Sequence, residues 1–263
     1  FGTIYLKKYD GSNWSLINKN ANNYLFTGAG LTTKSIGMTV FNSRLYVTYT
    51  VSNTIYTDIW NDVTWNIHNA LTNSGSFDYN AIEPFNSEYY LFVTSVTAST
   101  GRLYKQNATS WTSVSTSIPL DNTKTTGSPR LTLLNNKMYL CWHESASSFQ
   151  VRVKEFDGTN FNFIDGRALV SNLSSTFSSI SLAPDINSLN GKLYVAFEQS
   201  GTPALIQLRT WESGISWTKV HSGSGSLNFD PTKSASEVRL AKFQNRIYAT
   251  WMEDGKIRVL GLY

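Results

Sequence analysis

Three glutamates stand at one recurring place in this chain: Glu144 in "CWHE", Glu198 in "AFEQ" and Glu253 in "TWMED". Beside two of them lies a tryptophan, Trp142 or Trp251. On an open surface that combination has a definite chemistry. The indole face stacks on the apolar side of a sugar ring, while the carboxylate accepts from its hydroxyls. Within a sheet the same carboxylates would instead pair across strands with Arg152, Arg258 or the amide of Gln207. A second recurring element runs ahead of the first strand in three of the units. "LTTKSIGMTV", "LDNTKTTGSPRLTL" and "NFDPTKSASEVRLA" align Lys34, Lys124 and Lys233, with Asp121 or Asp230 shortly before the last two. Such a loop makes either the polar rim of a pocket between repeats or a solvated turn shaped by Asp and Pro.

These residues need strands to hold them, and the chain supplies little else. Alternating apolar and polar residues, bounded by Asn-, Gly- and Ser-rich turns, recur throughout, while helical periodicity is nearly absent. One tyrosine marks the second strand of each unit, at Tyr46, Tyr90, Tyr139, Tyr194 and Tyr248. An aromatic residue marks the fourth, at Trp14, Trp65, Trp111, Phe161 and Trp217, and is expected to pack between sheets. Both markers return about every fifty residues, the size of a four-stranded propeller blade. Residues 1–263 therefore read as a single all-β domain, a five-bladed β-propeller of four-stranded antiparallel blades. The N-terminal "NWSLI" offers a fourth strand and the C-terminal segment the first three, so the two ends are expected to share one blade and close the ring. "TIYLKKYDG" duplicates the third strand of "KIRVLGLY", which keeps a six-bladed ring with two incomplete blades as the alternative.

The stretch "LNFDPTKSASEVRLAKFQNRIYATWMEDGKIRV", with "VRVKEFDGTNFNFIDG" in blade order, resembles the repeat of secreted bacterial β-propeller proteins. Those units read L-N-x-D-P-T-K, then N-G-x-L-Y-x-x-W-x-E, then I-R-V-x-x-Y-D-G-x-x-W. In architecture the chain also resembles propeller lectins of the tachylectin type, a likeness that implies one sugar per groove between blades and affinity built from several weak sites. In the first two complete blades "YTVS" and "FVTS" replace the W-x-E element, so a site built on it survives in at most three.

Other chemistries find less to work with. A net charge of +4, with 15% charged residues and no Lys/Arg run, leaves nothing to track a phosphate backbone, so no nucleic-acid partner is expected. No stretch reaches the roughly 18 apolar residues a membrane helix requires. Cys141 is the single cysteine, which forbids an intrachain disulfide, and "MYLCW" marks it as a buried small hydrophobe. His68, His143 and His221 fall at non-equivalent positions and no D-x-D-x-D run occurs, so neither metal nor cofactor is expected. Glycoside hydrolysis needs two carboxylates about 5–10 Å apart across a pocket. "IWNDVTWN" matches a hydrolase W-N-D opening but lacks the Pro-Asn-Gly that should follow, and "YDGSNW" is a partial sialidase turn.

The sequence thus predicts a non-enzymatic carbohydrate-binding module, with Trp142, Glu144, Glu198, Trp251, Glu253, Lys34, Lys124 and Lys233 as ligand-binding residues. Abundant Ser, Thr and Asn with low charge suggest export or display at a cell surface, with glycans or a surface protein as partner. A protein-binding scaffold or adhesin is the alternative, and a hydrolase-like propeller enzyme the third.

Overall fold

The computed structural model describes residues 2–17, 26–28, 33–51, 54–72, 77–95, 98–107, 110–119, 125–145, 150–164, 184–199, 201–212, 217–220 and 226–262. Near the N-terminus, β1 (Gly2–Ile4) pairs with β4 (Phe26–Gly28), and β2 (Lys7–Tyr9) pairs with β3 (Trp14–Leu16). Blade one follows as β5 (Thr33–Phe41), β6 (Arg44–Val51), β7 (Thr54–Trp60) and β8 (Trp65–Thr72). Blade two is β9 (Tyr79–Phe85), β10 (Glu88–Ser95), β11 (Ala98–Asn107) and β12 (Ser110–Pro119). Blade three comprises β13 (Thr125–Leu134), β14 (Lys137–Ser145), β15 (Gln150–Phe156) and β16 (Phe161–Phe163). Blade four comprises β17 (Asp185–Leu189), β18 (Lys192–Gln199), β19 (Leu205–Glu212) and β20 (Thr218–Lys219). Blade five holds β21 (Ala235–Phe243), β22 (Arg246–Glu253) and β23 (Lys256–Leu262). The chain is a five-bladed β-propeller, all β, with antiparallel strands in sequence order within each blade.

Local chemistry explains the regularity. Each first strand turns into the second through two consecutive residues of positive φ: Asn42-Ser43, Asn86-Ser87, Asn135-Asn136, Asn190-Gly191 and Gln244-Asn245. This is the twist that a two-residue hairpin demands, and Asn and Gly tolerate it best. The turn into the fourth strand uses a side chain. Asp157 Oδ1 accepts from the amides of Thr159 and Asn160, both at 2.8 Å. Asp10 does the same for Ser12 and Asn13, and Asn61 for Val63 and Thr64.

Burial follows a strict alternation. In the second strand, the side that carries the marker tyrosine faces the next blade and the other side faces the previous one. Tyr46 packs with Leu91 and Val93 of blade two, Tyr90 and Phe92 with Leu140 and Trp142 of blade three, and Tyr139 and Cys141 with Val195 and Phe197 of blade four. Tyr194 and Ala196 in turn meet Ala249 and Trp251 of blade five. Polar locks cross the same seams. Asn80 of blade two accepts from Thr48 Oγ1 at 2.6 Å and donates to Thr50 Oγ1 at 2.8 Å. Asp185 of blade four lies 3.6 Å from Arg130 Nε of blade three and accepts the Leu240 amide of blade five at 2.7 Å. Cys141 is fully buried in the seam between blades three and four, and burial pushes its thiol pKa up.

The ends differ from expectation. Among the described residues no ladder joins β3 to β23; β3 pairs with β2, the duplicated third strand. Ile4 and Leu6 pack on Val47, Tyr49 and Val51 of β6, on the side of blade one turned away from blade two.

Replacing Asn136 by Val puts a β-branched residue at φ 56° and is expected to cost about 1–2 kcal/mol. Urea unfolding would measure this, and Asn136→Gly should leave stability nearly unchanged.

Candidate functional site

The element before blade five, Ser226 to Ala235, is the part of the recurring loop that the structure describes in full. It is tied to blade four from both sides. The Leu227 amide donates to the Ile206 carbonyl at 2.8 Å, and the Ala235 amide to the Ala204 carbonyl at 2.9 Å. Asn228 forms the spine of the loop: its Oδ1 accepts from the Ile206 amide at 2.8 Å, and its Nδ2 donates to the carbonyls of Lys233 at 2.8 Å and Ala204 at 3.2 Å. Asp230 closes the turn by accepting from the amide and hydroxyl of Thr232 at 2.9 and 2.6 Å.

From blade five, Glu253 reaches up into this loop. Its carboxylate accepts from the amides of Phe229 and Asp230, each at 3.0 Å, and from Trp251 Nε1 at 2.9 Å. Arg258 Nη2 stands 3.8 Å from the same carboxylate. Burial alone would raise the Glu253 pKa. The Trp251 indole, the two amides and Arg258 outweigh it and hold the group below the usual carboxylate range. The consequence is a fixed aromatic platform. Phe229 lies stacked on Trp251, centroids 5.5 Å apart at 25°, with the Arg258 guanidinium 5.4 Å from its ring and 57% of the residue open to solvent. Lys233, at the loop's edge, is 3.9 Å from Asp254.

The residues expected to bind divide accordingly. Trp251 and Glu253 are buried beneath the platform and support it. Trp142 is wholly buried against blade two and beside Phe163, so packing takes both faces of its ring and no face is left for a sugar. Glu144 lies in β14 opposite Thr126 and Gln150, but its side chain is outside the described residues. Lys34 lies in β5 with its side chain likewise undescribed, and Lys124 falls outside the described residues. Lys233 is exposed on the loop.

Glu198 is not the equivalent of Glu253. Counted from the marker tyrosines Tyr194 and Tyr248, it aligns with Met252, one residue earlier, and a one-residue offset in a strand reverses the face. Glu198 therefore points toward blade five, where the backbone of Glu237 hydrogen-bonds it. Burial pushes its pKa up to about 7, that hydrogen bond opposes the rise, and the Glu237 charge adds to it. Glu237 itself sits in a bulge of β21 at φ 58°. Phe229 and Glu237 were not singled out by sequence. The phenylalanine was readable as the one aromatic inside "LNFDPTK", whereas Glu237 carries no pattern at all.

No protein-family model and no curated protein matches the chain. Solved structures do. An endo-arabinase from Bacteroides thetaiotaomicron superposes with a TM-score of 0.58 at 13% identity, over 89% of this chain and 95% of that one. A thermostable family-43 glycoside hydrolase gives 0.53 at 12%, over 90% and 91%. The SapL1 lectin, solved with α-methyl fucoside, gives 0.59 at 14%, over 96% and 86%. At these identities the likeness is one of fold. It also overturns the expectation of a non-enzymatic module, because the propeller this chain shares with a lectin is shared equally with glycoside hydrolases.

Glu253→Ala would strand three donors in a buried seam. A loss of about 3 kcal/mol is expected by urea unfolding, with Glu253→Gln recovering part of it.

Proposed function

We propose that the chain binds carbohydrate in the manner of a propeller lectin, at the seam between blades four and five. The observation that carries this reading is the exposed Phe229 ring, stacked on Trp251 with the Arg258 guanidinium beside it. An apolar sugar face stacks on such a ring, Arg258 at the ring can donate to its hydroxyls, and Lys233 and Asp254 of the same loop and turn offer further polar groups. Glu253 holds the loop in shape by accepting from the Phe229 and Asp230 amides. Weak sites of this kind gain from repetition, and the equivalent loop before blade three, with Lys124, is the second place to look. Ligands displayed outside cells suit this arrangement, which is consistent with export to the exterior or the cell surface.

A glycan array followed by calorimetry tests the reading. Phe229→Ala should weaken binding at least tenfold with an unchanged melting temperature. Absence of binding on the array, or a variant that binds as tightly as the parent, would count against it.

One observation favours a second reading, a glycoside hydrolase. Glu198 has its Oε2 buried without a hydrogen-bond partner and its pKa pushed up by burial to about 7, and the charge of Glu237 adds to the rise; a raised carboxyl with a second carboxylate in reach is the pairing glycoside hydrolysis uses. Release of reducing ends from arabinan, abolished by Glu198→Gln, would support it; no release by the parent protein would exclude these polysaccharide substrates.

A further inference from the structure

The first strand of each blade is the innermost, and β5, β9, β13, β17 and β21 lie one against the next around the central channel. The marker tyrosines put these strands in common register. Opposite the second residue after each tyrosine stands Gly37 in blade one, paired with Thr48, and Ala81 in blade two, paired with Phe92. In blades three, four and five the same place holds Arg130, Asp185 and Arg239, paired with Cys141, Ala196 and Thr250. One level of the channel thus carries two guanidiniums flanking a carboxylate, and the remaining two blades add only a glycine and an alanine. The same device presents both arginines. A β-bulge immediately precedes each, between Gly127 and Arg130 in β13 and between Ser236 and Arg239 in β21. Bulges re-aim side chains and gather beside functional sites. Each guanidinium then folds back on the carbonyl of its preceding residue, Arg130 Nη1 on Pro129 at 2.9 Å and Arg239 Nη1 on Val238 at 2.7 Å.

Both donors and charge are left over at this level. Among the described residues, the one further close contact of either guanidinium is Arg130 Nε, 3.6 Å from Asp185. Most of the five N–H donors that each arginine carries therefore find no partner in the described protein. Asp185 is the one carboxylate among these residues that interacts with both arginines, and its oxygens already accept from the amides of Ile186 at 3.0 Å and Leu240 at 2.7 Å. Burial pulls the Arg130 pKa down, Asp185 opposes the fall, and the charge of Arg239 adds to it. Two cations share one anion, and one positive charge remains. We infer that the channel binds an oxyanion, the carboxylate, sulfate or phosphate group of a ligand, between Arg130 and Arg239 at the level of Asp185. Guanidiniums with free N–H edges grip such groups through paired, charge-assisted hydrogen bonds. Arg239 is exposed, so the site is open to solvent. It is separate from the Phe229 platform and stands whether or not that platform binds sugar.

Melting temperature against sodium sulfate, with ionic strength held constant by sodium chloride, gives the first readout, and calorimetry the affinity. The parent chain should show a rise that saturates. Sulfate also stabilises folded proteins through its exclusion from their surface; that effect does not saturate, so saturation is the signature of a site. Arg239→Gln should weaken sulfate binding about tenfold and melt with the parent when sulfate is absent. Arg239→Lys should fall between the two, since it keeps the charge and loses the fork. Lys242→Gln, which removes a cation from the same strand, should bind as the parent does. Competition then separates the sources of the group. Displacement of sulfate by galacturonate and not by galactose assigns the oxyanion to an acidic saccharide, whereas displacement by neither assigns it to a free anion. A rise that never saturates, or saturable binding that Arg239→Gln leaves intact, overturns the inference.

Discussion

A four-stranded blade has two faces and can bury neither by itself. Every other feature of this molecule answers to that constraint. It forces successive residues of each second strand to address different neighbours, which is why Tyr139 and Cys141 belong to one seam while Met138, Leu140 and Trp142 belong to another. It also makes the seams the places where polar groups can lock blades together. Asp185 is the clearest case: a buried carboxylate whose pKa burial raises, opposed by Arg130 of one neighbouring blade and by an amide of the other. Buried charges survive only when partnered on this scale, so the three blades around Asp185 are bound to keep their spacing.

The same two-sidedness separates what the sequence discloses from what it conceals. Blade order, the strands of blades one to four and the hairpin turns were legible because each rests on local chemistry: period-two alternation, Asn-Asn or Asn-Gly at positive φ, an Asp that folds back on the next amides. Placing Glu198 with Glu253 failed for a physical reason. The two letters stand in similar strings, yet one residue of register turns a side chain from one blade to the next. The tryptophans misled in a related way, since a strand aromatic that could stack on a ligand is also the best filler of a seam. Closure at the ends was beyond reach of pattern, because β2 and β23 are both acceptable partners for β3 and nothing local chooses between them.

The site illustrates a division of labour between layers. Residues that look functional in sequence, Trp251 and Glu253, form the lower layer and hold a loop in shape. What this loop presents to solvent is the Phe229 ring, with Arg258 beside it. A fold shared by a lectin and by hydrolases offers the same kind of rigid base to either activity, and the difference then lies in what a few upper-layer side chains present.

Cys141 gives this architecture an internal gauge. It is the chain's only thiol, it lies in the seam between blades three and four, and no solvent reaches it while that seam is shut. Any thiol reagent must wait for those two blades to part. The rate at which this one sulfur is labelled is therefore a clock for the breathing of the wheel, read without adding a probe to the protein.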